Sequence, residues 1–125
     1  MLNKPRPVFL NLFQIRLPMT AIASILHRVS GVFLFLAIPF FIYLLQLSLQ
    51  SQAGFESVLS ITRSVPLKLL SILLLWALMH HLFAGIRFLL LDIDIGISRS
   101  TARISAWLVS LTALLVSILL VGVCL

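Results

Sequence analysis

The chain has 125 residues, of which 62% are hydrophobic and 10% charged, with a mean hydropathy of +1.23. Soluble domains run about 45–50% apolar and about 25% charged, so neither a soluble globular fold nor a disordered chain fits. Nine Lys and Arg against three Asp and Glu give a formal charge of +6; the cations flank apolar runs, which excludes nucleic acid and points to membrane lipid.

The N-terminal segment carries Lys4, Arg6 and Arg16 and is broken by Pro5 and Pro7. It does not read as a secretory signal, because the first long apolar stretch begins only at Val29 and exceeds an h-region. The two prolines also argue against an amphipathic transit peptide. Residues 29–50 form the first uncharged window, 22 residues long, and about 20 suffice for a helix to cross the ~30 Å hydrocarbon core. The helix itself is expected to begin near Pro18. Pro39 lies inside it and should kink it unless neighbours satisfy the freed carbonyl. A loop over 51–63 follows.

The second window, 69–86, has 18 uncharged residues and reaches Leu91 if Arg87 is accepted. Pro66 suits its first turn. After a loop over 92–103, the third window runs over 104–125, another 22 residues. The alternating pattern of a membrane barrel is absent. The expectation is an all-α membrane protein, a single domain over 1–125 with transmembrane helices near 20–50, 65–91 and 104–125. Lys4, Arg6, Arg16, Arg28, Arg87, Arg99 and Arg103 mark one side and only Arg63 and Lys68 the other. That bias puts the N-terminus and second loop in the cytoplasm and the C-terminus outside. Cys124 is the single cysteine, which excludes an intrachain disulfide and the C-x-x-C-H attachment of covalent haem.

In so apolar a chain the polar residues at membrane depth are the functional candidates. His80 and His81 lie in the second helix, with His81 roughly 9 Å deeper than Arg87 at ~1.5 Å per residue. A metal, a haem iron or a buried hydrogen bond would relieve the cost of burying either ring. The two point about 100° apart, so they cannot share one iron. His81 is the better-placed ligand, because Gly85 follows four residues on and leaves room on the same face for a flat macrocycle. The competing reading is a histidine bonded to a neighbouring helix, with glycine serving close packing. On the first helix Thr20, Ser24, His27 and Gly31 share one face and Arg28 borders it. Such a group suits a propionate, a quinone carbonyl, a lipid phosphate, or an ordinary interfacial Arg-His pair. Spacing alone leaves Arg87 and Asp92 undecided between snorkelling and docking a soluble partner.

Two segments carry a resemblance. Ser24-Ile25-Leu26-His27-Arg28-Val29-Ser30-Gly31 resembles the S-x-x-H-R-x-x-G signature of the cytochrome b556 subunits of succinate dehydrogenase. His81 through Asp92 is similar to that family's H-x-x-x-G-I-R-H-x-x-x-D, and Arg6-Pro7 through Arg16-Leu17-Pro18-Met19-Thr20-Ala21 to its N-terminal segment. The resemblance covers essentially the whole chain. It implies three helices bundled with a second membrane anchor subunit, and iron–sulfur and flavoprotein subunits outside the bilayer. It implies haem b, shared between the two anchors with His81 as one axial ligand, and ubiquinone as substrate near Ser24 and Arg28. His27, with Gly31, Gly85 and Arg87, matches the haem propionate and pocket region, and Asp92 a quinone-side support. Phe88 departs from the family pattern, standing where a histidine often follows G-I-R. The implied location is a bacterial inner membrane in preference to a mitochondrial one.

A fumarate reductase anchor would run the reaction in the opposite direction. A transporter or channel subunit would line a path across the bilayer with its polar groups, whereas these cluster towards one side. A haem-free anchor would use His81 for packing alone. The chain has no flavin site and no cysteine cluster with which to oxidise succinate itself.

Overall fold

In a computed structural model covering residues 16–124, four helices follow in order: α1 (Met19–Gln50), α2 (Gln52–Thr62), α3 (Val65–Asp92) and α4 (Arg99–Cys124). Lys4, Arg6, the start of the N-terminal motif and Leu125 lie outside the described residues. α1, α3 and α4 are long and apolar enough to cross a membrane. Their 32, 28 and 26 residues rise about 48, 42 and 39 Å, each more than the ~30 Å core requires. This is a helical membrane protein with three candidate spans.

α1 starts at Pro18, whose carbonyl accepts the first turn's Ala21 and Ile22 amides at 2.9 and 3.2 Å. It runs unbroken past Pro39. α4 begins at Arg99, ahead of the uncharged window that opens at 104. Ser98 sets that start: its hydroxyl accepts from the Thr101 amide at 3.3 Å and its carbonyl from Ala102 at 2.8 Å. Between α3 and α4 the chain turns through a Schellman motif. Ile95 donates to the Leu90 carbonyl at 2.9 Å and Asp94 to Leu91 at 3.1 Å. Asp94 takes the left-handed position at φ 61 and Gly96 follows at φ 80.

The segment 51–63, expected as a loop, is mostly the short helix α2. Ser51 is fully extended and caps it, its hydroxyl accepting the Gly54 amide at 3.0 Å. Gln52 donates to the Glu56 carboxylate one turn on, at 3.1 Å. Gly54 is buried, and a Cβ there would run into the Leu47 carbonyl oxygen of α1. Alanine would gain about 1 kcal/mol of helix propensity, but the obstacle is backbone and cannot swing away. Gly54→Ala should therefore destabilise by about 1–3 kcal/mol, read as a lower melting temperature of the detergent-purified protein.

α3 packs against both α1 and α4, with a smaller α1–α4 contact. The contact surfaces are small residues, as suits helices that approach closely in lipid. Ala23, Ala77, Ala84, Ala106 and Ala113 are fully buried, while Phe35, Leu36, Leu45, Leu89 and Leu119 face outwards. On α3 the buried residues are Leu74, Ala77, His80, Ala84 and Arg87, a stripe of heptad spacing. His80 and Arg87 thus face the interior, and His81 stands to one side of that stripe.

Candidate functional site

Near the basic end of the bundle α1 and α3 exchange histidines across their contact. The His27 and His81 rings stack with centroids 4.1 Å apart and planes 9° from parallel. Each ring meets a glycine of the other helix. A Cβ on Gly31 would lie 2.9 Å from His81 Cε1, and one on Gly85 would lie 3.5 Å from His27 Nε2. His27 and Phe88 meet in a T-shaped contact with centroids 5.2 Å apart. The space above Gly85 is thus taken by His27, and the tighter requirement for glycine is at Gly31.

The tautomer of His81 follows from its neighbours. Nδ1 lies 3.0 Å from the His27 carbonyl oxygen, which can only accept. Ser30 Oγ donates to that same carbonyl at 2.8 Å and stands 3.3 Å from His81 Nδ1. Nδ1 therefore carries the proton and Nε2 the lone pair. Metal-bound histidines are oriented by this kind of second hydrogen bond to a backbone carbonyl. Ser30 is fully buried and was not singled out from the sequence. The hint available was a serine one heptad after Ala23, on the face α1 turns inwards.

His80 differs from its neighbour in every respect. It is 0% exposed and neither ring nitrogen has a hydrogen-bond partner. The backbone of Ala23 lies beside it without forming a bond of acceptable geometry, and Trp76 stacks on it at 5.5 Å. Among the described residues no three His, Cys, Asp or Glu side chains gather as a metal site; the coordination chemistry on offer is that of single imidazoles.

The remaining expected residues separate. Ser24 is half-buried one turn before His27, and Arg28 is exposed. Asp92 is the exposed last residue of α3. Arg87 points at α4: Nε donates to Ser105 Oγ and Nη2 to the Ala102 carbonyl, both at 2.9 Å. It is 6% exposed and joins the two helices through a planar fork. Ser105 also donates to the Ala102 carbonyl at 3.1 Å, so these two groups stay paired without the arginine. Arg87→Lys keeps a buried charge and loses the fork, costing about 1–3 kcal/mol. Arg87→Met removes the charge and should cost less than about 1 kcal/mol. Unfolding midpoints in mixed micelles compare them, and a methionine variant less stable than the lysine one would refute this account.

Comparison with known proteins gives the arrangement a family. The model of the succinate dehydrogenase/fumarate reductase transmembrane subunit matches residues 2–120. The succinate dehydrogenase cytochrome b556 subunit of Coxiella burnetii is 38% identical over 123 residues, 98% of each chain. That of Rickettsia felis is 31% identical over 92% of this chain and 90% of its own; that of Rickettsia typhi is 33% identical over 78% and 75%. A multi-pass helical chain aligned almost end to end with such bacterial relatives belongs to the succinate dehydrogenase/fumarate reductase transmembrane subunit family, among the cytochrome b556 subunits of succinate dehydrogenase.

Proposed function

We propose that this subunit anchors the dehydrogenase in a bacterial inner membrane, contributes His81 as one axial ligand of haem b, and forms part of the ubiquinone site with Ser24 and Arg28. The observation that carries the haem reading is the His81 imidazole, half-buried beside Gly31, with Nδ1 engaged by the His27 carbonyl at 3.0 Å. That bond leaves Nε2 as the basic nitrogen and fixes the ring plane, which fits an axial ligand. A second imidazole ligand would come from a second anchor subunit. When bound, haem b provides a one-electron centre within the bilayer. His27, stacked on His81 at 4.1 Å, sets the ring's orientation and would lie near the haem propionates.

Electrons from succinate would arrive through the flavoprotein and iron–sulfur subunits, and ubiquinone would take up two electrons and two protons. Positions 24 and 28 lie about one helical turn apart on α1, about 6 Å along the axis. From there the Ser24 hydroxyl and the Arg28 guanidinium would donate hydrogen bonds to a quinone oxygen as negative charge develops on it. Asp92 would support the quinone side from the end of α3. The family description includes fumarate reductases, but the relatives named are succinate dehydrogenase subunits, and succinate oxidation is the direction proposed.

Ser24→Ala and Arg28→Gln should each lower ubiquinone reduction by about 100-fold while leaving succinate oxidation by an artificial dye intact. Equal loss of both activities would mean that these residues serve assembly. Purification in mild detergent, with a reduced-minus-oxidised spectrum and identification of the co-purifying chains, tests the haem and the partners together.

A further inference from the structure

At the basic end of the bundle the beginnings of α1 and α4 enclose two adjoining cavities, of about 420 and 460 Å³, that share Pro18 and Arg103. Arg99, Arg103, Thr20 and Ser100 line the first; Arg16, Ile22 and Trp107 join the wall of the second. Neither is lined by His27, His81, Ser24 or Arg28. Three arginines line these cavities at the N-terminus of α4, which has no acidic residue in its first turn. Cations at that position oppose the helix dipole and repel one another, so the site carries an electrostatic cost that a bound anion would remove. The chain's three acids, Glu56, Asp92 and Asp94, line neither cavity.

The shape identifies the anion. Arginine forks and the hydroxyls of Thr20 and Ser100 suit phosphate oxygens. Below them the wall turns apolar. Trp107 is two turns into α4, about 12 Å from Arg99 along the axis, and Ile22 faces it from α1. A free phosphate or the acidic surface of a soluble subunit would use only the basic rim. A molecule with a phosphate at one end and a hydrocarbon chain at the other would use all of it. We propose that this groove is a binding site for an anionic phospholipid, with its phosphate among Arg16, Arg99 and Arg103 and an acyl chain along Ile22 and Trp107. Basic pockets between transmembrane helices recognise anionic headgroups in this way. The proposal requires only that the chain spans the membrane, and stands independently of the haem and quinone reading.

The test uses the assembled, detergent-purified complex, titrated with phosphatidylglycerol or phosphatidylcholine and followed by native mass spectrometry. That measurement counts bound lipid and reports which subunits remain. Phosphatidylglycerol should bind the wild type in preference to phosphatidylcholine. R16Q/R99Q/R103Q should weaken phosphatidylglycerol binding about 100-fold, at ~1 kcal/mol per arginine. If the triple variant does not assemble, R16Q/R99Q is read in the same way, with an expected loss of about 30-fold. R63Q/K68Q, with two charges removed at the other end of the bundle, should bind as the wild type does. The proposal is overturned if the arginine variants retain the lipid, or if R63Q/K68Q loses it equally. It is also overturned if the arginine variants keep the lipid and shed the soluble subunits, because the rim would then be a protein-docking surface.

Discussion

Exchange of His81 for alanine is expected to abolish the b-type absorbance of the purified complex, whereas His80→Leu leaves it in place. Two neighbouring imidazoles on one helix look alike in sequence, and the difference between them is what surrounds each nitrogen. His81 is half-buried, with Nδ1 bonded to the His27 carbonyl at 3.0 Å and Nε2 left basic. On the proposed reading, an iron held between this chain and a neighbour would reach this nitrogen. His80 is 0% exposed and lies beside the Ala23 backbone of α1, so a ligand from outside would first have to unpack α1 from α3. Loss of an oriented supporting group around a metal costs about 10–100-fold in affinity, and loss of the ligand itself should exceed that. Haem-to-protein ratio and the reduced-minus-oxidised spectrum measure the effect. For His80 the second expectation concerns stability. Both its nitrogens are buried without partners, so leucine of similar volume removes two unsatisfied polar atoms and should be neutral or stabilising. A spectrum lost in the His80 variant and kept in the His81 variant would reverse the assignment.

The three spans are legible from sequence because lipid imposes a length and a composition that the uncharged windows reveal directly. The short helix α2 escapes that criterion. Its 11 residues are too few for a span, and its signals are local: a capping Ser51 and a glycine that must pass the Leu47 carbonyl. The start of α4 is hidden for a related reason. Arg99 and Arg103 end the apolar window, but arginine is a good helix former and Ser98 caps the turn before them. That earlier start brings Ala102 and Ser105 level with Arg87 and gives its fork a home on α4, an outcome that the periodicity of α3 cannot reveal. The histidine pair shows the same limit. Spacing along one helix puts His27 with Gly31 and His81 with Gly85. Which glycine faces which histidine depends on the register between helices, and only the folded chain supplies it.

That register makes the two glycines unequal. Gly31→Ala should lower haem retention about 10–100-fold, while Gly85→Ala should change it less than about twofold. At Gly31 the added methyl would stand 2.9 Å from His81 Cε1, inside van der Waals contact. The ring cannot yield freely, because one edge is held by the His27 carbonyl and one face by the His27 ring at 4.1 Å. Either α1 and α3 separate or His81 rotates, and each outcome turns Nε2 away from its present direction. At Gly85 the methyl would meet His27 Nε2 at 3.5 Å, an ordinary contact that also fills space between the helices. A methyl within a helix further gains about 1 kcal/mol of propensity, so Gly85→Ala should assemble at least as well as the wild type. Haem content and the absorbance maximum of both variants, measured at equal subunit recovery, separate the cases. If Gly85→Ala were the more damaging, the space above Gly85, taken here by His27, would have to hold the macrocycle and the His27–His81 stack would have to rearrange when haem binds.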